Sequence, residues 1–557
     1  MASWRKSLMA FGCLALASTP VAAQYVQPQP YAIPARPYSE AAQPVAQTPP
    51  ASYAVTAPNL SPDATLRAAL ESNRRKDLAG TLAYRQRLSD PLARKVVTWA
   101  MIDVFGEQLG VADLEAAVRD LAGWPREEAR QGALDRARSG VVPPSGPVSY
   151  AALQAGGSGE TYSNRVFTQR RLQMNDALRA GDYAGAYTAI AHHGLPQDAN
   201  YAEAESFAGW LALNKLKNPR LAEQHFARLD AAVKSPVSKA RAAYWLGRAA
   251  EAAGDPARAR GFYEQGARHT TTFYGQLAAE RAGQSHLVLQ PDPVPTSADR
   301  AAIAGSEVVR AMQLLSRASE RNLVRVFGLH LGDTVANEAQ LAVLMDTIKA
   351  MGETELSLLA YRRGGMRNLI LHERGYPLRT PPRIAGGAEP AMVLAITRQE
   401  SQFDPRVRSH ADARGMMQLL PGTARDTARK VGVSYEESRL WDPDYNMSLG
   451  SAYLGQMTER FGGSYIMAAA GYNAGPGRPA AWVEFCGDPR SSSTDPLDFI
   501  ECIPFSETRN YVMRVMENAQ VYRARLAGGR APLSLSQDLK RGGYGYAGGY
   551  RPSAGTQ

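Results

Sequence analysis

The sequence predicts an all-α protein in which a long array of helix pairs is followed by a compact helical domain. First, residues from about 60 to 375 are rich in Ala, Leu and Arg and almost free of strand-like alternation. Second, helix-breaking pairs recur in that stretch at a regular spacing. Third, several prolines and the pair Gly386-Gly387 end the array and indicate a new domain. At 557 residues, 45% of them hydrophobic, the chain is long enough for more than one core.

Residues 1–23 have the pattern of a secretory signal peptide. Arg5 and Lys6 precede an apolar run at 8–17 and a small-residue cleavage site. The alternative is a lipoprotein signal with an acylated Cys13, although the apolar run before it is short. No other stretch approaches the roughly 20 apolar residues of a membrane helix. We therefore expect export and no integral membrane segment after signal removal.

Residues 24–58 and 527–557 are predicted to be disordered. The first segment is rich in Pro, Ala and Gln with few charges, which favours a linker. The second contains a Gly/Tyr-rich run that offers little apolar surface to bury, which favours a flexible tail.

The formal net charge of +10 favours an anionic partner. Nucleic acid, a membrane surface and an acidic wall polymer all fit that charge. Export argues against nucleic acid, so we expect no nucleic-acid partner.

Residues 59–380 are predicted to form a solenoid of stacked helix pairs. Breaks recur every 36 or 37 residues at Gly181-Asp182, Asn218-Pro219 and Asp255-Pro256. Trp210 and Trp245 lie 35 residues apart, also close to the tetratricopeptide period. A single helix pair cannot bury its apolar face alone, so neighbours are expected to stack and leave an extended concave surface.

Cys486 and Cys502 are a disulfide candidate. Cys13 would leave with the signal peptide, and exported proteins retain disulfides. Two buried free thiols remain the alternative, because spacing does not give geometry. The histidines are scattered without metal-ligand spacing, so we expect no metal and no cofactor.

Residues 381–526 are predicted to hold the chemistry. The segment from Ala391 to Glu400 has the pattern of a buried helix, with Val393, Ile396 and Glu400 on one face. Desolvation raises the pKa of a carboxyl on an apolar face, as the general acid for a glycosidic oxygen requires. The alternative for a single Glu at a helix end is a solvated or salt-bridged side chain.

The continuation of this helix resembles the lytic transglycosylase signature. Ser401, Ser409 and the run Gly415-Met416-Met417-Gln418 follow Glu400 at that family's offsets, with Met416 in place of its Leu. Gly471-Tyr472-Asn473 is similar to the family's Ala-Tyr-Asn motif, and the blocks 446–454 and 501–512 also match. In the array, Ala243–Ala249 and Thr272–Ala278 resemble the superhelical arm of soluble lytic transglycosylases.

The resemblance to the soluble lytic murein transglycosylase family implies a lysozyme-like catalytic domain and a periplasmic location. It implies cleavage of the β-1,4 bond between N-acetylmuramic acid and N-acetylglucosamine in peptidoglycan, with a 1,6-anhydromuramoyl product. Glu400 would act as acid and then base. The substrate-binding residues it implies are Ser401, Ser409, Met417, Gln418, Tyr472, Asn473 and Glu501. Within this set, Tyr472 and Asn473 would position the acetamido group and Glu400, while Glu501 would hold the groove by hydrogen bonding.

Two other functions remain open from the sequence. A lysozyme-like hydrolase would use water in place of the muramic O6, with Glu501 as a possible second carboxylate. A non-catalytic scaffold would bind wall-associated complexes through the concave face of the solenoid, with a degenerate hydrolase domain attached. The expected partners of the chain are peptidoglycan glycan strands and, in addition, cell-wall or secretion complexes.

Overall fold

The computed structural model describes residues 60–139 and 161–542, which lie in one compact unit and are almost entirely helical. The predicted all-α class is confirmed. The predicted signal peptide at 1–23 and linker at 24–58 lie outside the described residues. No helix in the described ranges combines the length and apolarity needed to cross a bilayer.

The first helices form a group that packs against later helices of the array. They are α1 (Pro62–Arg74), α2 (Leu78–Arg87), α3 (Pro91–Phe105), α4 (Val111–Asp120) and α5 (Glu127–Ser139). The Trp99 and Trp124 rings each make an edge contact with Phe327, at 4.9 and 5.5 Å between centroids. The start of the array is therefore held by a helix more than 200 residues away.

The middle of the array consists of successive helices that each contact the next. They are α6 (Tyr162–Arg179), α7 (Tyr183–Ala191), α8 (Ala199–Trp210), α9 (Pro219–Ala232), α10 (Pro236–Ala252), α11 (Pro256–Gly266) and α12 (Phe273–Arg281). Asp182, Asn218 and Asp255 are the N-caps of α7, α9 and α11, and each accepts a backbone N–H. The recurring breaks thus mark helix starts, as the sequence predicts.

The remainder of the array leads to the last group of helices. It comprises β1 (His286–Val288), α13 (Ser297–Gly305), α14 (Glu307–Arg317), α15 (Arg321–Thr334), α16 (Glu338–Ala350) and α17 (Thr354–Gly365). Arg67 on α1 donates to the Ala318 carbonyl at the end of α14, at 3.0 Å. We refer to residues 60–139 and 161–365 as the arm.

The residues that follow the arm form a further group of helices and one strand. The elements are α18 (Pro390–Ser401), α19 (Pro421–Val431), α20 (Pro443–Arg460), α21 (Tyr465–Ala474), α22 (Gly477–Cys486), α23 (Pro496–Cys502), α24 (Ser506–Leu526), β2 (Arg530–Pro532) and α25 (Leu535–Leu539). Helix α24 packs along α18 and α21, and its side chains also reach the arm. It is therefore shared by the arm and the candidate site.

The predicted tail is folded where the structure describes it, so its start at residue 527 is a correction. Strand β2 pairs antiparallel with β1, with Leu287 opposite Ala531. Leu535 and Leu539 are 0% and 3% exposed. These leucines supply the apolar surface that the Gly/Tyr-rich composition lacks, and the prediction for 543–557 lies outside the described residues.

Candidate active site

Glu400 lies at the end of the buried helix α18. Val393 and Ile396 on its face are fully buried, and Glu400 itself is half-buried. The helix stops directly afterwards because Gln402 and Phe403 adopt left-handed backbone angles, with φ of 51° and 63°. The predicted helix and the apolar face that carries the carboxyl are both present.

The surroundings of Glu400 keep its carboxyl close to half-protonated at neutral pH. Burial raises the pKa to about 7, the Tyr511 hydrogen bond opposes that rise, and the negative charge of Glu507 adds to it. The Tyr511 hydroxyl donates to Oε1 at 2.6 Å. A carboxyl with this pKa is suited to give a proton and later take one.

The loop after α18 is tied to the helix end and to α20. The Ser401 hydroxyl donates to the Met416 carbonyl at 2.6 Å, and the Met417 N–H donates to Asn446 Oδ1 at 2.8 Å. Gly415 has a φ of 77°, and a Cβ at that position would collide with the Leu440 carbonyl. Backbone geometry thus requires a glycine at position 415.

Ser409 and Gln418 lie at the outer part of this loop. Ser409 is exposed, and its Oγ accepts from the Ala413 N–H at 3.0 Å. Gln418 is half-buried, and its amide donates to the Val407 and Gly415 carbonyls, both at 2.8 Å. Both side chains reach the loop surface, where a sugar could contact them.

Tyr472 and Asn473 lie in the last turn of helix α21, and Tyr472 is close enough to Glu400 to interact with its charge. The Tyr472 hydroxyl donates to the Met417 carbonyl at 2.7 Å. Burial, followed by the negative charge of Glu400, raises the Tyr472 pKa well above its ordinary value, so the phenol stays a proton donor. Asn473 Oδ1 accepts from the Thr508 hydroxyl at 2.8 Å.

Three predicted substrate-binding residues are not placed to touch a sugar. The side chains of Ser401, Met417 and Glu501 are buried, with the residues 2%, 0% and 1% exposed. Glu501 instead accepts from Arg241 at 2.7 Å and from the Tyr274 hydroxyl, both on the arm. The structure thus places Ser401 and Met417 in the support of the loop after α18, and Glu501 in the contact between α23 and the arm.

Sequence reasoning missed three residues on the first turns of α24. Tyr511 bonds Glu400, Thr508 bonds Asn473, and the exposed Glu507 is the carboxylate that acts on the Glu400 pKa. All three lie in the matched block 501–512. Thr508 and Tyr511 are three residues apart, the spacing that places two side chains on one helix face.

A disulfide joins Cys486 and Cys502, at the ends of α22 and α23. Their Cα atoms are 5.6 Å apart, and both residues are buried. The bond closes the segment between the two helices and fixes the backbone next to Glu501.

Comparison with known proteins adds sequence and fold similarities to this geometry. Residues 384–490 match the model of the Transglycosylase SLT domain, and residues 502–530 match that of the Soluble lytic transglycosylase helical domain. The second match falls on α24, not on the arm.

Curated relatives share part of the chain. The Soluble lytic murein transglycosylase of Escherichia coli strain K12 is 33% identical over 265 residues, which cover 45% of this chain and 39% of the relative. The Putative soluble lytic murein transglycosylase of Haemophilus influenzae is 42% identical over 125 residues, which cover 22% of this chain and 20% of that protein. The matches therefore span less than half the length of these relatives.

A solved structure supports the fold over most of the chain. An inactive mutant of Lytic Transglycosylase Slt from Pseudomonas aeruginosa superposes with a TM-score of 0.52 at 23% identity, covering 85% of this chain and 74% of that one. This similarity extends the fold assignment to the arm.

Proposed function

We propose that this chain, which carries a Transglycosylase SLT domain, is a lytic transglycosylase that cleaves the β-1,4 bond between N-acetylmuramic acid and N-acetylglucosamine in peptidoglycan. The observation that carries the proposal is the half-buried Glu400 carboxyl, whose pKa of about 7 makes it a proton donor at neutral pH. Peptidoglycan lies in the periplasm, so this substrate implies that compartment.

The reaction needs one proton to move in each direction. Protonated Glu400 gives its proton to the glycosidic oxygen as the bond from the muramic C1 breaks. The resulting carboxylate takes the proton of the muramic O6 hydroxyl as that oxygen forms a bond to C1. Glu400 ends protonated, no water is consumed, and the product is a 1,6-anhydro ring.

The O6 route needs no second carboxylate because the nucleophile belongs to the substrate. Intramolecular attack can have an effective molarity on the order of 10⁵ M when the ring is held correctly. Ser409 and Gln418 would line the sugar subsites, and Asn473 would face the acetamido group. Tyr472 would hold the Met417 carbonyl beside the ring.

A lysozyme-like hydrolase is the alternative that a specific observation favours. Glu507 is exposed, and its charge acts on Glu400, so it is a second carboxylate that could direct a water molecule. Glu507 thus takes the place of Glu501 as the second carboxylate of this alternative, because Glu501 is buried against the arm. The two functions differ only in which oxygen completes the reaction at C1.

Mass spectrometry of muropeptides released from purified sacculi separates these functions. We expect products that end in 1,6-anhydromuramic acid and lack the mass of one water. Reducing ends would identify a hydrolase instead. Failure to release any fragment would contradict both enzymatic proposals and favour a non-catalytic scaffold.

The pH dependence of cleavage should follow the protonation of Glu400. Because the acid must carry its proton in the free enzyme, kcat/KM should fall as pH rises through about 7. Glu507→Gln removes a negative charge that raises the Glu400 pKa, so the fall should move to lower pH. Glu459→Gln, which changes an exposed carboxylate on α20, should leave the profile unchanged. A profile that is flat from pH 5 to 9 would contradict the assignment of Glu400.

A further inference from the structure

Helix α24 presents one face to the candidate site and another to the arm. On the site face, Thr508 bonds Asn473 and Tyr511 bonds Glu400. Arg509 lies between them in sequence but points to a different face, since each residue advances a helix by about 100°. The same first turns of α24 therefore carry contacts in two directions.

The arm face of these turns is held by a cluster of charges in which Glu203 is 33% exposed and its partners Arg509 and Arg241 are 1% and 12% exposed in their side chains. Arg509, which is 1% exposed, donates to the arm residue Glu203. Glu203 also accepts from Arg241 at 3.0 Å, and Arg241 donates to Glu501 at 2.7 Å. Burial disfavours the Glu203 charge, but Arg509 and Arg241 overcome this and lower its pKa, so it stays ionised.

A second arm arginine holds the N-terminal end of α24. Arg171 donates to the Ser506 hydroxyl and to the Pro504 carbonyl, the latter at 3.1 Å. Both guanidiniums lie near the ring of the arm residue Phe207, at 5.0 Å for Arg171 and 4.6 Å for Arg509. The position of α24 is thus set by arm side chains on both sides of its first turn.

We propose that Glu203 and Arg509 are positioning residues through which the arm sets the Tyr511–Glu400 hydrogen bond, and with it the proton affinity of the catalytic carboxyl. The inference rests on the proposed function only in taking Glu400 as the acid. A small rotation or shift of α24 would move the Tyr511 hydroxyl away from Glu400. A hydrogen bond loses most of its strength over less than an ångström of displacement, so a modest loosening of the arm contact is enough.

The direction of the effect follows from the groups that face Glu400. These are Tyr511, which donates to it, Tyr472, whose phenol interacts with its charge, and the carboxylate of Glu507. Of these, the Tyr511 hydrogen bond lowers the Glu400 pKa. Weakening that bond raises the pKa, and the alkaline fall of kcat/KM moves to higher pH.

The test compares Glu203→Gln with Glu223→Gln in the full chain. Glu223 is also a partly buried arm carboxylate paired with an arginine, Arg258, whose side chain is 51% exposed where that of Arg509 is 1% exposed. Among the described residues, Glu223 bonds Arg258 within the arm and is not bonded to α24. For Glu203→Gln we expect kcat to fall roughly tenfold. We also expect the alkaline limb of the kcat/KM profile to move up by about half a pH unit, which corresponds to the free-energy change expected for a weakened hydrogen bond. Glu223→Gln should match the wild type. An unmoved limb in a folded Glu203→Gln protein would overturn the proposal.

Two further measurements distinguish positioning from general loss of structure. In a Tyr511→Phe background, Glu203→Gln should add no further shift of the Glu400 titration, because both changes remove the same bond. The Glu400 titration is followed by carbon NMR of the carboxyl, assigned by its absence in Glu400→Gln. That readout needs no turnover, so it stands even if the proposed reaction is wrong. Additive shifts would contradict the proposal. Arg509→Met should move the alkaline fall of kcat/KM to higher pH, and Arg509→Lys, which keeps the charge opposite Glu203, should return it most of the way to the wild-type position.

Discussion

Glu400→Gln should reduce release of muropeptides from sacculi by about 10²- to 10⁴-fold, the range for loss of a general acid. The amide cannot donate a proton to the glycosidic oxygen or accept the O6 proton. Its shape is preserved, and the Tyr511 hydroxyl can still donate to the amide oxygen in place of Oε1. Binding of glycan should therefore persist while turnover is lost, which a sedimentation assay with sacculi measures.

The same variant should be more stable than the wild type at alkaline pH. Burial raises the Glu400 pKa in the folded state to about 7, above its unfolded value, so the carboxylate opposes folding once it ionises. This cost is absent below the unfolded pKa, grows as pH rises toward 7, and is fully present above it. Glu400→Gln removes it, so we expect a gain of about 2 kcal/mol at pH 8 and little change at pH 4.

Urea unfolding of Glu400→Gln at the two pH values checks this second effect, with the exposed-carboxylate variant Glu459→Gln as control. A stability gain that is equal at both pH values would show that the benefit comes from packing. Full activity in Glu400→Gln would contradict the catalytic role of Glu400, and Glu507 would then be the next candidate for the general acid.

Local sequence rules predicted the parts of the fold that short-range chemistry decides. Asp182, Asn218 and Asp255 are short polar side chains before helix patterns, and each caps a helix. The sequence predicts Glu400 on the face of Val393 and Ile396 because these residues precede it by about whole helical turns, and both are buried in the structure. Such inferences need only the residues within about two turns.

Contacts between distant segments were not predictable in this way. The pairing of 286–288 with 530–532 joins segments more than 240 residues apart, and neither strand has a marked pattern by itself. Tyr511 bonds a residue 111 positions away, so its importance depends on how α24 packs against α18. Glu501 and Glu507 are both acidic residues in one matched block, and only the fold shows that the first faces the arm and the second faces Glu400.

Arg241→Met should lower the free energy of unfolding by about 3 kcal/mol, as expected when one member of a buried ion pair is removed. Arg241 is 12% exposed in its side chain and bonds both Glu203 and Glu501. Without it, Glu501 keeps the Tyr274 hydroxyl and the Arg509 guanidinium 3.6 Å away but loses its strongest cation.

Comparing variants identifies the cause of the Arg241 effect. Arg241→Met/Glu501→Gln should recover part of the lost stability, because it also removes the charge left without its partner. Arg258→Met, which breaks a more exposed pair on the arm, should leave the urea midpoint nearly unchanged. If the double variant is less stable than Arg241→Met, the loss comes from packing rather than from an uncompensated charge. In that case apolar contacts would contribute most of the stability between the arm and helices α23 and α24, and the buried ions would mainly fix the relative orientation of the two surfaces.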